Sequence, residues 1–225
     1  MSTRPAPLTI PLAAGAAISG LLDAPADAKA CYVLAHGAGA GMNHPFIAAM
    51  AAGLAERRVA TLRFQFPYME QGSRRPDSPN VAQAAIRAAV QEASRRLPSV
   101  PLFAGGKSYG GRMTSQAQAA EPLAKVRGLV FLGFPLHPAG KPSTERASHL
   151  AAVRVPMLFL QGSRDTLADL ELMRAITVQL GQRATLHVVA AADHSFHVPA
   201  RSGLNDERVQ EELLDTIAGW VERHA

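Results

Sequence analysis

The residues of this chain that are best placed to do chemistry are a serine and the two glycines that flank it. Gly106, Ser108 and Gly110 form the pattern G-x-S-x-G, between an apolar run and a segment that can be helical. In that context the pattern predicts a sharp strand-to-helix turn with the serine at its apex. Side chains at the flanking positions would collide, and the helix N-terminus would favour negative charge near the serine oxygen. Ser108 is therefore a candidate nucleophile, although a chance loop in a Gly- and Ala-rich chain is the alternative.

A serine hydroxyl needs a base that removes its proton and an acid that orients this base. Asp165 follows the apolar strand candidate 155–160, and His194 follows the strand candidate 185–189. Each side chain is thus expected at the carboxyl end of its own strand, and the chain order Ser, Asp, His is the one found in enzymes with a nucleophile on such a strand–turn–helix. We predict a catalytic triad of Ser108, Asp165 and His194.

Other roles for these acids and bases are open at this point. Asp165 could cap a helix that begins at the next residue, because aspartate is a favoured N-cap. Asp169 is then the alternative acid, and His197 is the alternative base. Asp193 is expected to shape its own turn and not to act as the triad acid.

Stabilising a tetrahedral oxyanion requires two N–H donors. The amide of Tyr109, directly after the nucleophile, is the first candidate. The second is expected in the loop 36–41, with the sequence H-G-A-G-A-G, which follows an apolar strand candidate. We predict the Ala38 amide, with Gly39 as the alternative, and we interpret His36 as an organiser of this loop. The alternative for the loop is a tight turn with no role in binding.

Two further loops follow strands and carry apolar side chains on the side expected for the site. Phe66 and Tyr68 lie in one loop, and Leu136 and His137 lie in the other. Together with Gly39, these four residues are predicted to line a substrate pocket. The alternative is that they only pack their loops onto the domain.

Composition and charge exclude several classes of function. The net charge of +5 is spread along the chain without a basic run interleaved with aromatics, which argues against a nucleic-acid partner. The one cysteine, Cys31, allows no intrachain disulfide and suits a reducing compartment, so a cytoplasmic location is expected. The apolar stretch 8–22 is better explained by a β-hairpin than by an export signal, and no other run is long enough to span a membrane.

No cofactor and no metal are expected. The sequence Gly106-Lys107-Ser108 resembles the end of a phosphate-binding loop but lacks the earlier glycine of that motif. His194 and His197 lack the spacing and the glutamate of a zinc peptidase.

The organisation of the chain predicts a single α/β domain over residues 1–225, with a mostly parallel sheet covered by helices on both faces. The interval 133–154 is too short for a lid domain, so an open site is expected. After the N-terminal hairpin, strands are predicted at 30–35, 60–64, 100–104, 128–132, 155–160 and 185–189, and helices at 45–57, 80–97, 109–120, 166–180 and 204–223.

Taken together, these motifs resemble a known family over nearly the whole chain. The matching segments are His36-Gly37-Ala38-Gly39-Ala40-Gly41, His44-Pro45-Phe46, Arg63-Phe64-Gln65-Phe66-Pro67-Tyr68-Met69, Gly105-Gly106-Lys107-Ser108-Tyr109-Gly110-Gly111-Arg112, Gly133-Phe134-Pro135-Leu136-His137-Pro138, Gln161-Gly162-Ser163-Arg164-Asp165 and Asp193-His194-Ser195-Phe196. The chain resembles small α/β hydrolases of the dienelactone-hydrolase-like type. The branch that it resembles is related to the hydrolase-like domain of testis-expressed and chromatin-complex subunits.

The resemblance implies an α/β-hydrolase fold and a serine hydrolase that needs no cofactor. Dienelactone hydrolases themselves use a cysteine nucleophile where this chain has Ser108, which puts lactone opening in doubt. The expected substrate is a small or medium carboxylic ester or thioester. The alternatives are a non-catalytic protein-interaction module, since fold alone does not establish activity, and an acyltransferase or peptidase of the same fold.

Overall fold

A computed structural model describes residues 5–225 of the protein, which form strands and helices in alternation. The strands are β1 Ala6–Pro11, β2 Ala17–Asp23, β3 Ala30–Ala35, β4 Val59–Phe64, β5 Leu102–Lys107, β6 Val126–Leu132, β7 Met157–Gly162 and β8 Ala184–Val189. The α-helices are α1 Pro45–Glu56, α2 Pro67–Glu70, α3 Pro79–Arg96, α4 Tyr109–Ala120, α5 Leu170–Leu180 and α6 Asp206–His224. Short 3₁₀ helices lie at Ala13–Gly15, Glu145–Ala152, Gly181–Arg183 and Ala200–Ser202.

All eight strands of the described chain belong to one sheet, in the order β1-β2-β4-β3-β5-β6-β7-β8. β1 and β2 form the predicted hairpin, and β2 pairs antiparallel with β4. Every other pair is parallel. The prediction of a mostly parallel sheet with an N-terminal hairpin is confirmed.

The central strands are apolar on both faces because helices cover both sides of the sheet. Along β3, Cys31 and Val33 face one apolar layer, whereas Tyr32 and Leu34 face the other. Helices α3, α4 and α5 cover the first layer, and α1 and α6 cover the second. This alternation follows from the two-residue period of a strand, and it leaves the strand ends as the places where loops can form a site.

The strand order of the sheet reverses between β3 and β5, which makes this position a topological switch point. From β3 the chain passes to β4 on one side, and it then returns to add β5 on the other side. The loops that leave the carboxyl ends of β3 and β5 therefore diverge and leave a crevice between them, which is where open α/β sheets bind ligands.

A buried ion pair joins the hairpin to this crevice. Arg63 of β4 donates to the carboxylate of Asp23 at 3.0 Å, and both side chains are less than a tenth exposed. The same guanidinium donates to the carbonyl of Met42 at 3.1 Å. Arg63 thus links β2, β4 and the loop that follows β3.

Residues 133–154 contain the 3₁₀ helix Glu145–Ala152 and no lid domain, as predicted. The 3₁₀ helix packs on α4, where His149 Nε2 and Ser115 Oγ are 2.7 Å apart. Within residues 5–225 no helix is both long and apolar enough to cross a membrane.

Several predicted element bounds differ from the observed ones, and three of the differences bear on the site. β5 extends to Lys107, the residue before the candidate nucleophile, whereas the sequence predicted its end at 104. α5 begins at Leu170 and not near 166, because the Asp169 side chain accepts from the amide of Leu172 and caps the helix. The segment Pro67–Glu70, which was predicted as loop, forms the short helix α2.

Candidate active site

The strand-to-helix turn at Ser108 has the strained geometry that the glycine pattern predicted. Ser108 has φ 51° and ψ −115°, in a region that residues with a side chain rarely occupy. A Cβ on Gly106 would lie 2.1 Å from the carbonyl oxygen of Ala35, and one on Gly110 would lie 2.6 Å from the same atom. Both glycines are required because the start of α4 packs directly against the end of β3.

Ser108, His194 and Asp165 lie within hydrogen-bonding distance of one another in series. The Oγ of Ser108 is 2.9 Å from Nε2 of His194. The Nδ1 of His194 is 2.7 Å from Oδ2 of Asp165. Three separate strand ends, those of β5, β7 and β8, place these side chains together. A histidine bonded in this way carries its proton on Nδ1 and leaves Nε2 able to accept the serine proton.

The Asp165 carboxylate is surrounded by donors. Besides His194, Oδ2 accepts from the side-chain amide of Gln161, and Oδ1 accepts from the backbone amide of Leu167 at 2.8 Å. The side chain of Asp165 is fully shielded from solvent. These bonds fix the orientation of the carboxylate. Sequence reasoning did not assign a role to Gln161, which lies at the end of β7 next to the acid.

The other candidate acids and bases have different roles. Asp169 caps α5, and so the helix cap that the sequence left open for Asp165 belongs to Asp169. Asp193 accepts from the amides of Ser195 and His197 through one oxygen, which shapes the turn as predicted. His197 is exposed and pairs with Asp206 at 2.8 Å, away from the serine.

The glycine-rich loop 36–41 meets the nucleophile turn across the crevice. The amide of Gly39 donates to the hydroxyl of Tyr68 at 2.8 Å and is therefore occupied. Among the hydrogen bonds of residues 5–225, the amides of Ala38 and Tyr109 have no protein acceptor. Ala38 also borders the cleft at Ser108. This pattern favours Ala38 over Gly39 as a donor to a bound oxyanion.

His36 organises this loop, as the sequence suggested. Its Nε2 accepts from the amide of Phe66 at 3.2 Å, so the ring proton lies on Nδ1, which is 2.7 Å from the carbonyl of Gly37. Burial lowers the pKa of His36, which keeps the ring neutral. The side chain of Gln65 accepts from the amide of Met42 at 2.8 Å, at the far end of the loop.

A cleft of about 340 Å³ opens at Ser108. Its apolar walls come from Phe46, Ile47 and Leu167, and polar groups come from His44 and Lys107. The sequence did not predict these five side chains as pocket residues. Two depressions of about 470 and 520 Å³ lie elsewhere on the surface and contain none of the triad residues.

None of the five predicted pocket residues borders this cleft; Gly39 does not, although its neighbours Ala38 and Ala40 do. Phe66 and Leu136 are fully buried, and Tyr68 and His137 are less than a tenth exposed. Phe66 packs edge-on against His36, and His137 Nε2 accepts from the amide of Asp169 at 2.8 Å. Apolar residues after a strand can face a cleft or the core, and here all four of these side chains are buried under their own loops. These side chains pack beneath the loops that form the site.

Metal-binding geometry is absent from the described part of the chain, residues 5–225. No group of three or more His, Cys, Asp or Glu side chains there could hold an ion. Cys31 is buried in β3, and burial raises the pKa of its thiol to about 12, so this residue is not a nucleophile at neutral pH.

Comparison with known proteins agrees with the sheet order and the strand-end geometry. The family profile described as "Alpha/beta hydrolase domain" matches residues 28–222. The chain belongs to the α/β hydrolase family. That match spans β3 to most of α6 and therefore contains Ser108, Asp165 and His194.

Three solved structures of other proteins are similar over almost the whole chain. Dienelactone hydrolase from Anabaena variabilis is 18% identical, with 100% of this chain and 99% of that chain covered and a TM-score of 0.80. A serine hydrolase without a lid from Xanthomonas campestris is 21% identical, with 98% and 96% covered and a TM-score of 0.74. Est1E from Butyrivibrio proteoclasticus, solved with ferulic acid, is 20% identical, with 94% and 99% covered and a TM-score of 0.71. At these identities the likeness confirms the dienelactone-hydrolase-like fold.

Proposed function

We propose that the protein is a serine hydrolase that cleaves small carboxylic esters or thioesters through an acyl-enzyme. The observation that carries this proposal is the series of contacts from Ser108 Oγ to His194 Nε2 at 2.9 Å and from His194 Nδ1 to Asp165 at 2.7 Å. A buried carboxylate, an oriented imidazole and a strained serine in this order are the parts that nucleophilic acyl transfer needs.

In the first half-reaction, Ser108 Oγ attacks the acyl carbonyl while its proton moves to His194 Nε2. Asp165 accepts the Nδ1 proton in a hydrogen bond and stabilises the imidazolium that forms. When the tetrahedral intermediate collapses, His194 donates its proton to the leaving alcohol or thiol, and the acyl group remains on Ser108. A water molecule then attacks the acyl carbon, with His194 acting as base, and releases the acid.

Negative charge on the carbonyl oxygen would be stabilised by the amides of Ala38 and Tyr109. Support comes from their lack of protein acceptors within residues 5–225 and from the position of Tyr109 at the first turn of α4. The positive end of the helix macrodipole adds to this stabilisation. Removing one such donor typically lowers kcat by about 10²–10³-fold in serine hydrolases.

The cleft suits a compact acyl group. Its volume of about 340 Å³ is near the lower end of the range for small-molecule sites, and Phe46, Ile47 and Leu167 give it apolar walls. We therefore infer a preference for short acyl chains over long ones. The name of one structural neighbour, dienelactone hydrolase, agrees with ester hydrolysis.

The first experiment is labelling with a fluorophosphonate probe followed by mass spectrometry. An adduct on the peptide that contains Ser108, absent from the Ser108→Ala variant, is the expected result. Ser115 is buried in α4 on the same chain, and its alanine variant is the matched control that should still label. No adduct on folded wild-type protein would contradict the proposal and favour a non-catalytic interaction module.

Substrate class is then tested with p-nitrophenyl esters of increasing acyl length and with a matched thioester. We expect kcat/KM to fall once the acyl chain exceeds the cleft. Equal rates for short and long chains would contradict the inference from the cleft but not the triad. Faster reaction with an added alcohol or amine than with water would identify an acyltransferase.

A further inference from the structure

Lys107 occupies the first variable position of the pentapeptide, between Gly106 and Ser108, and its side chain borders the cleft. The mechanism above gives this lysine no role. Its side chain is nevertheless directed into the site, where Nζ contacts a backbone carbonyl and an aromatic ring. Burying a cation in this way is costly, so its contacts call for an explanation.

The ammonium of Lys107 contacts the loop that carries the histidine. Its Nζ donates to the backbone carbonyl of His194 at 2.5 Å. The same atom lies 5.3 Å from the centre of the Phe196 ring, within the range of a cation–π contact. Phe196 in turn stacks on Phe46 of α1, with ring centres 5.9 Å apart. Lys107 thus joins the nucleophile turn to the loop 193–196.

No hydrogen bond of the sheet makes this connection. β5, which ends at Lys107, is separated from β8 by β6 and β7. The side chain has to pass Gly133, at the end of β6, where an added Cβ would lie 3.0 Å from Nζ and 3.4 Å from the ring of His194. The gap left by this glycine lets the ammonium reach the histidine loop.

The charges around Nζ are those of the site itself. The carboxylates of Asp165 and Asp193 act to raise the pKa of Lys107, but desolvation by burial is larger and lowers it to about 8. His194 contributes its carbonyl to Nζ, Gly133 and the ring of Phe196 lie beside Nζ, and Gly37 lies beside Cγ of the side chain. The ammonium therefore loses its charge within the pH range in which such an enzyme can be assayed.

We propose that Lys107 is a positioning residue: its ammonium fastens the loop 193–196 to the nucleophile turn and so keeps His194 Nε2 within reach of Ser108 Oγ. The role requires the positive charge, because both the carbonyl dipole and the aromatic ring attract a cation. The inference rests on the proposed function, because its kinetic test measures the rate of ester hydrolysis.

The first test is the Lys107→Met variant, which keeps most of the side-chain volume and removes the charge and the donor. We expect kcat to fall roughly ten- to a hundred-fold with a smaller change in KM, because misplacement of a catalytic group by about 1 Å has effects of this size. We expect Tm to stay the same or rise, because a desolvated ammonium is removed. The matched control is Lys29→Met, at an exposed ion pair with Glu222, which should retain full activity.

The pH profile separates positioning from a general packing role. Wild-type kcat should decline above about pH 8 as Lys107 loses its proton. The Lys107→Met variant should lack this alkaline decline. In a second variant, Lys107→Cys, alkylation with 2-bromoethylamine rebuilds an ammonium of similar length and should restore activity. Cys31 is fully buried and should not react.

Hydrogen exchange tests the contact without reference to hydrolysis. Peptides that cover residues 190–198 should exchange faster in Lys107→Met than in the wild type and in Lys29→Met. Unchanged exchange together with unchanged kcat would overturn the inference, and so would a fall in kcat that merely follows a fall in Tm. If wild-type Ser108 fails to label, the proposed function fails, and the exchange measurement alone decides on the role of Lys107.

Discussion

At the scale of single residues, the site depends on which atoms hold protons. The Oδ2 of Asp165 accepts from His194 Nδ1, and this bond selects the tautomer whose Nε2 faces the serine. The Nε2 of His36, by contrast, accepts from the amide of Phe66 and plays no part in proton transfer. Both histidines thus carry the ring proton on Nδ1, and they differ in the group that faces Nε2: a serine hydroxyl at His194 and a backbone amide at His36.

The Asp165→Asn variant tests the tautomer argument. We expect kcat to fall by about 10³–10⁴-fold with little change in KM, because an amide facing Nδ1 favours the tautomer with the proton on Nε2. Steady-state kinetics with a short-chain ester measures kcat and KM of the variant. The comparison is Asp193→Asn, because this carboxylate accepts from backbone amides and does not contact the His194 ring. Its kcat should fall much less. Equal losses in the two variants would argue against Asp165 as the triad acid.

Tyr68→Phe tests whether the loop 36–41 must be held in place for activity. The change removes the acceptor of the Gly39 amide and should cost about 1 kcal/mol of stability and about tenfold in kcat. Tyr32→Phe is the matched control, because the Tyr32 hydroxyl donates to the carbonyl of Val130 inside the core. It should lose similar stability and keep its kcat. Loss of activity in both variants in proportion to stability would remove the special role of Tyr68.

At the scale of elements, the close approach of β3, β5 and α4 sets the geometry of the nucleophile turn. A Cβ on Gly105 would lie 1.9 Å from the carbonyl oxygen of Val130, and one on Gly106 would meet the Ala35 carbonyl of β3. Both glycines also have φ +149°, which side chains disfavour. The turn therefore exists only because these strands can approach without side chains between them.

Gly106→Ala is expected to prevent folding or to cost more than about 4 kcal/mol, because neither of the contacting backbones can move without breaking the sheet. Gly219→Ala, inside α6 with no atom closer than 3.6 Å to the added Cβ, should instead stabilise the protein by up to about 1 kcal/mol. Urea denaturation of both variants measures the difference. A folded Gly106→Ala protein of wild-type stability would contradict the steric argument.

At the scale of the whole molecule, one buried and one half-buried histidine, both neutral in the folded state, make stability depend on pH. Burial lowers the pKa of His36, and burial together with Arg112 lowers the pKa of His149 to about 4 from a usual value of 6.5. Below pH 6.5 the unfolded chain takes up protons before the folded chain does. The free energy of unfolding should therefore fall as the pH drops from about 6.5 towards 4.

His149→Gln should reduce the loss of stability between pH 7 and pH 5 by about 1 kcal/mol, after allowance for the partial exposure of this side chain. His197→Gln is the control with the opposite sign. Asp206 raises the pKa of the exposed His197, so this histidine stabilises the fold at low pH, and its removal should deepen the loss. Urea denaturation at pH 7 and pH 5 measures the free energy of unfolding of both variants and of the wild type. The same pH dependence in His149→Gln and wild type would show that His149 is not protonated on unfolding.

The sequence by itself determined the elements and the chemistry that they carry. Gly106, Ser108 and Gly110 predict a strand-to-helix turn because of local sterics, and chain order alone placed Asp165 and His194 after separate strands. The hairpin, the parallel strands and the short interval 133–154 followed from apolar patterning and turn residues. These features are local, and each depends on residues within about one element of the chain.

Only the tertiary structure decided which side chains face the cleft. Phe66 and Leu136 follow strands just as Leu167 does, yet packing buries the first two and leaves the third at the cleft. The path of Lys107 past Gly133 to His194 depends on the sheet order, which local pattern does not specify. Contacts between residues distant in the chain depend on how the elements pack. The sequence therefore identifies the reacting groups, whereas the side chains that position them are identified only in the tertiary structure.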